Sequence, residues 1–180
     1  MRRTILRIVS LAVAAGSVTL AACGSDSNSP APGAAHVSLQ DQCDSVSFNA
    51  GIGAGTCTHQ GGMTLTQFNA ELAATQRVAA WKFDPSELTI QVGQSINAMN
   101  DGGEMHTFTE VEQFGGGIVP ALNTASGNPV EAPECAQLAN SGFVAPGATF
   151  NADAATTVGT EYYQCCIHPW MRATVTVTGS

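Results

Sequence analysis

The sequence predicts an all-β fold, a β-sandwich, with one short helix near its N-terminal end. Three observations carry this. Short segments of alternating apolar and polar residues recur from Leu88 to Thr178. Clusters of Gly, Pro and Asn separate them. Only one stretch, Met63 to Gln76, has helical periodicity. Short strands at regular spacing with turn signals between them pack as two sheets.

Taken in order, residues 1–23 precede the fold. Arg2, Arg3 and Arg7 open the chain and an apolar stretch follows from Ile8 to Leu20. The stretch is too short for a spanning helix and has the pattern of a secretory signal. It ends Leu20-Ala21-Ala22-Cys23, which resembles the lipobox of bacterial lipoproteins. That resemblance implies a bacterial cell, export and lipidation at Cys23. Acyl chains rather than a protein span then hold the domain to the periplasmic or cell-surface face of a membrane. Residues 24–40 begin with Ser, Asn, Pro, Gly and Ala and read as a flexible tether.

Residues 41–80 form an extension. It carries Cys43, Cys57 and the helical stretch, where Thr64 and Gln67 stand at capping-box spacing and Leu65, Phe68 and Leu72 share a face. The sandwich itself is expected over 81–180. Leu88 to Val92 alternates, Gly93-Gln94 turns, and Ser95 to Met99 is a second strand. Asn100-Asp101-Gly102-Gly103 is a loop, and His106 to Val111 has β character. Residues 112–142 are rich in Gly, Pro, Asn and Ala and read as a long inserted loop. Phe143-Val144, Ala148 to Phe150 and Thr160 to Cys165 are short strands, and Thr174 to Thr178 closes the chain.

Charge narrows the partners. All fourteen acidic residues lie beyond Cys23, against three cations there, Arg77, Lys82 and Arg172, so the mature chain carries −11. Nucleic-acid binding needs clustered Lys and Arg and is excluded. A redox protein with a basic docking surface suits this field. The mature length of about 157 residues is enough for one domain and a good core, and a monomer is expected.

The run Tyr163-Gln164-Cys165-Cys166-Ile167-His168-Pro169-Trp170-Met171 carries the chemistry. It places thiolate, imidazole and thioether at spacing C-x-x-H-x-x-M. These donors suit soft or borderline metals, and His2Cys with a weak axial Met is the donor set of a blue-copper electron-transfer centre. The run lacks a second His. His106, in Glu104-Met105-His106-Thr107, is the candidate. His36 in the tether and His59 beside Cys57 read as solvated residues, Met105 as packing, and Arg172 as solvent-facing or salt-bridged.

Six cysteines occur. With Cys23 assigned to lipid, five remain in an oxidising compartment, where thiols are paired or metal-bound. Two disulfides and one metal thiolate use all five. Cys43 and Cys57 flank a Gly-rich loop and pair with each other. One of Cys165 and Cys166 then pairs with Cys135. Neighbouring residues of a strand point to opposite faces, so only one of the two faces a metal. Cys165, with two residues before His168, is the assigned ligand, and Cys166 the partner of Cys135. A vicinal Cys165–Cys166 disulfide is the competing reading and needs strained backbone.

Together, Cys165-x-x-His168-Pro169-Trp170-Met171-Arg172, the Val/Thr strand after it and the upstream Met105-His106 resemble the cupredoxins, most of all the short copper loop of amicyanin. The resemblance implies an eight-strand Greek-key sandwich and one type 1 copper held by His106, Cys165, His168 and Met171. It implies a single-electron carrier rather than an enzyme, with His168 at the surface as electron port and Pro169 and Trp170 in its docking patch. Thr107 stands where the family usually has Asn or Ser, and Cys166 where it has Ser or Thr. Both positions normally lock the ligand loops together, so their change bears on tuning of the site. The alternative function is copper sequestration or delivery, which suits open, Met-rich or His-rich sites. A copper oxidase or reductase needs an open coordination position or a second cluster, and His36 and His59 are too few to build one.

Overall fold

Strand alternation builds two four-stranded sheets in the computed structural model, which describes residues 33–139 and 142–179. In the first sheet β1 (Ala35–Gln40) is central. It pairs antiparallel with β2 (Lys82–Asp84) and parallel with β4 (Ile96–Asn100), whose other edge takes β8 (Thr149–Asn151). In the second sheet β10 (Arg172–Thr178) lies between β3 (Glu87–Gln91), parallel, and β9 (Gly159–Gln164), antiparallel. Strand β6 (Thr109–Val111) follows on the far edge of β9. A two-stranded piece, β5 (His106–Thr107) with β7 (Phe143–Val144), stands apart from both sheets.

The inward faces of the two sheets meet in one core. Val37, Leu39, Phe83, Ile96 and Ala98 come from the first sheet, and Ile90, Tyr163, Ala173, Val175 and Val177 from the second. Each fully buried large apolar side chain contributes roughly 1.5–3 kcal/mol against exposure. Phe108 stacks on Tyr163 at 4.4 Å between centroids and tilts against Phe83 at 5.2 Å, linking the sheets near the site.

The expected helix forms as α2 (Leu65–Thr75). Thr64 and Gln67 make a reciprocal capping box, and Phe68 and Leu72 are buried. It follows a shorter helix, α1 (Ser45–Gly51), capped by the Asp44 side chain, which accepts from Ser47 N–H.

Three expectations change. The tether expected over 24–40 is strand β1 from Ala35 onward. Val37 and Leu39 alternate with His36, Ser38 and Gln40, which gives this segment a buried face. The insertion over 112–142 contains two short helices, α3 (Pro120–Ala125) and α4 (Pro133–Ala136), each opened by a proline, which is preorganised for a first helical position. The eight strands implied by resemblance are ten among the described residues. Strands β1 and β2 pair with each other.

Cys43–Cys57 and Cys135–Cys166 are both bonded, and Cys165 is the free thiol among the described residues. These are the pairings expected from the count of thiols. Among the described residues no helix is long and apolar enough to cross a membrane. Cys23 and the leader lie outside the described residues.

Candidate metal centre

One end of the sandwich gathers the donors. Strand β9 delivers Cys165, the turn after it delivers His168, and β10 begins immediately after Met171. The turn is closed by its own backbone. Met171 N–H donates to the His168 carbonyl at 2.9 Å, and Cys165 N–H donates to the Met171 carbonyl at 3.0 Å. Strand β5 brings His106 in from the other side.

His106, Cys165 and His168 present their donor atoms within 4.8 Å of one another. Cys165 Sγ is 3.9 Å from His106 Nδ1 and 4.0 Å from His168 Nδ1. Both imidazoles thus turn the same nitrogen toward the sulfur. Cys165, His106 and Met171 are fully buried, and His168 is 3% exposed. His36 and His59, by contrast, are exposed.

Electrostatics prepare the sulfur. Burial raises the Cys165 pKa, yet contacts with His106 and His168 outweigh burial and hold it well below the ordinary thiol value. Two backbone N–H groups also point at the sulfur, Thr107 at 3.4 Å and His168 at 3.5 Å. Burial likewise disfavours charge on His106, but Asp41 and Cys165 raise its pKa to about 9. A thiolate between two imidazoles and shielded from water suits a soft or borderline cation.

Behind the imidazoles stand two buried carboxylates that the sequence reading did not single out. His106 Nε2 donates to Asp41 Oδ2 at 2.9 Å. Asp41 also accepts from Glu104 N–H at 2.9 Å and Cys43 N–H at 3.0 Å. Burial raises its pKa, but His106 and these two N–H groups more than compensate and keep it well below the usual carboxylate range. Glu104 Oε2 accepts from Trp81 Nε1 at 2.7 Å and lies 3.5 Å from His168 Nε2. Burial pushes the Glu104 pKa up, partly offset by His168 and Trp81. The 41–43 segment packs closely against Gly102-Gly103. A Cβ on Gly102 would collide with the Asp41 carboxylate, and one on Gly103 with the Cys43 sulfur. The two glycines are small because the 41–43 segment passes against them.

Thr107 and Cys166 lock the loops in a way their identities did not predict. Thr107 Oγ1 accepts from Cys166 N–H at 2.8 Å, so the hydroxyl bridges the two ligand segments. The Cys166 side chain turns away to Cys135 in α4, and its carbonyl accepts from Ile118 N–H at 2.7 Å. Gly117 passes so close to the Cys166 carbonyl that a Cβ there would overlap it. The insertion is therefore packed onto the segment that carries Cys165 and His168.

The expected electron port needs correction. His168 does not reach the surface. Phe68 from α2 and Trp81 both lie 6.4 Å from its ring and close over it, and Trp170 lies at 5.5 Å. Pro169 is also buried, and Trp170 is the partly exposed residue of the three. Met105, expected to pack, is 40% exposed. Arg172 is not free, and among the described residues it has no salt bridge. Its guanidinium donates to Asn128 Oδ1 at 2.6 Å and to the Pro169 carbonyl at 2.8 Å, and sits 4.7 Å from the centre of the Phe114 ring.

No protein-family model matches the sequence, and no curated protein matches it. Solved structures similar to the chain are cupredoxins. A novel purple cupredoxin from Nitrosopumilus maritimus is 19% identical, with 80% of this chain and 99% of that one covered and a TM-score of 0.44. An oxidized plastocyanin from Dryopteris crassirhizoma is 18% identical over 80% and 100%, with a TM-score of 0.41. A reduced mutant amicyanin is 21% identical over 57% and 78%, with a TM-score of 0.37.

Proposed function

We propose that this chain is an exported, membrane-tethered electron carrier that holds one type 1 copper. The carrying observation is the buried His106 Nδ1, Cys165 Sγ and His168 Nδ1 cluster, built around the one cysteine outside the two disulfides among the described residues. His106, Cys165 and His168 would hold the ion, and the buried Met171 thioether could add a weaker fourth donor. Copper in such a donor set supplies a one-electron couple. The chain supplies the rest. Backbone N–H groups from Thr107 and His168 steady the sulfur, and Asp41 and Glu104 back the imidazoles. Phe68 and Trp81 exclude water.

Trp170 is where a redox partner comes nearest, since its ring touches His168 and is partly exposed. Arg77 and Lys82 line the hollow beside it, so this face differs in charge from the chain as a whole. Acidity concentrates elsewhere, where Glu110, Glu112, Glu134 and Glu161 line a hollow along β6 and β9. The acidic chain attracts a partner with a basic surface at long range, and its contact at Trp170 falls beside Arg77 and Lys82 on an uncharged or acidic part of that partner. The lipobox-like Cys23 supports the tether, and the two disulfides fit an oxidising compartment.

Copper addition tests the reading. Oxidised protein is expected to be intensely coloured and to bleach reversibly with a mild reductant. Cys165→Ala should abolish the colour, and Cys23→Ala should release the protein from the membrane fraction. A pale protein that surrenders Cu(I) readily to a chelator would instead indicate copper delivery. Burial of the donors opposes such ready exchange.

A further inference from the structure

Asp41 lies 65 residues from His106 in sequence, yet its carboxylate is 2.9 Å from the ring nitrogen that faces away from the sulfur. The two side chains are completely buried. Neither the C-x-x-H-x-x-M loop nor the His106 segment contains it. It arrives on the end of β1, next to disulfide-bonded Cys43, and threads against Gly102 and Gly103. The enclosure leaves it three donors, His106 Nε2 and the N–H groups of Cys43 and Glu104.

We infer that Asp41 is a positioning residue for the metal centre, fixing His106 as the tautomer with Nδ1 free and placing a buried negative charge one ring away from the ion. The inference rests on the copper reading above. Its physics is general. A carboxylate on the outer nitrogen of a ligand imidazole sets ring orientation and raises ligand basicity. A nearby anion also favours the more positive oxidation state of the ion, because attraction scales with charge in a medium of low effective dielectric. Asp41 therefore shifts the couple toward the oxidised form. Glu104 stands similarly behind His168, but at 3.5 Å, beyond good hydrogen-bond distance. Its effect on the couple should be smaller.

The test is the potential of Asp41→Asn, measured by spectroscopic redox titration of copper-loaded full-length protein beside Glu104→Gln. Asparagine keeps an acceptor for a backbone N–H but loses the charge. Asp41→Asn is expected to keep its colour while preference for Cu(II) over Cu(I) falls about tenfold, the low end of outer-shell effects. For a one-electron couple that is an upward shift of about 59 mV. Glu104→Gln should shift less. A coloured Asp41→Asn protein with unchanged or lowered potential overturns the inference, since a merely structural Asp41 costs stability and leaves the couple alone. Should Asp41→Asn not fold, nitrogen NMR of the zinc-loaded native protein decides. An exchange-protected Nε2–H on His106 supports the assignment, and a ring protonated at Nδ1 overturns it. A native protein that takes up copper without colour refutes the copper reading, and the zinc measurement still tests Asp41.

Discussion

Thr107 shows how one side chain holds the site together. It follows His106, and its hydroxyl accepts the backbone N–H of Cys166, the neighbour of Cys165. Its own N–H points at the Cys165 sulfur. Thr107→Val keeps shape and removes the acceptor, leaving a buried N–H without a partner. The expected cost is about 1–3 kcal/mol, read by chemical denaturation of the metal-free protein. An unchanged midpoint would show that the bridge between the two ligand segments does not matter. The residues on the metal loop were legible in the sequence because Cys165, His168 and Met171 sit within one short run, where spacing alone identifies them. Asp41 and Glu104 were not, since a lone carboxylate in a sequence has no periodicity or spacing to mark it. Only the fold brings Asp41 across 65 residues to His106.

At the scale of elements, the insertion is a brace. Its helix α4 is bonded through Cys135 to Cys166, beside Cys165. Asn123 in α3 accepts from Gly117 N–H and donates to the Gly117 carbonyl, both at 2.7 Å. Removing the bridge by Cys135→Ala with Cys166→Ala should lower stability by about 3.7 kcal/mol, the scale expected for closing a loop of this size. The copper colour should persist. Loss of colour in that double variant, with Cys165 intact and the protein folded, would assign the metal thiolate to Cys166. Strands β3 to β10 were largely readable from alternation and turn residues, and α2 from its cap and apolar face. Helices of six and four residues, α3 and α4, are too short to show a period. Strand β1 was hidden by the Ser, Pro and Gly stretch that runs into it, although Val37 and Leu39 carry its buried face.

Over the whole molecule, acidity is a cost as well as a field. Glu110 is partly desolvated and faces Glu161, Asp153 and Glu134. Burial, then these charges, raise its pKa. The folded state therefore binds its proton more tightly than the unfolded chain. That contribution to stability is present below the unfolded value, near 4.5, and is lost as pH rises through the raised folded value. Glu110→Gln should accordingly stabilise the protein at pH 7 by up to about 0.5 kcal/mol, with the difference vanishing near pH 4 and shrinking in salt. Thermal melts across pH check this, and a destabilised variant at pH 7 would contradict it. The two disulfides have a bearing on biosynthesis too. Cys165 and Cys166 are adjacent, and Cys135 closes on only one of them. A chain joined from Cys135 to Cys165 has no ligand thiolate at the assigned position. Pairing during oxidative folding therefore decides which of the two adjacent sulfurs is left free beside His106 and His168.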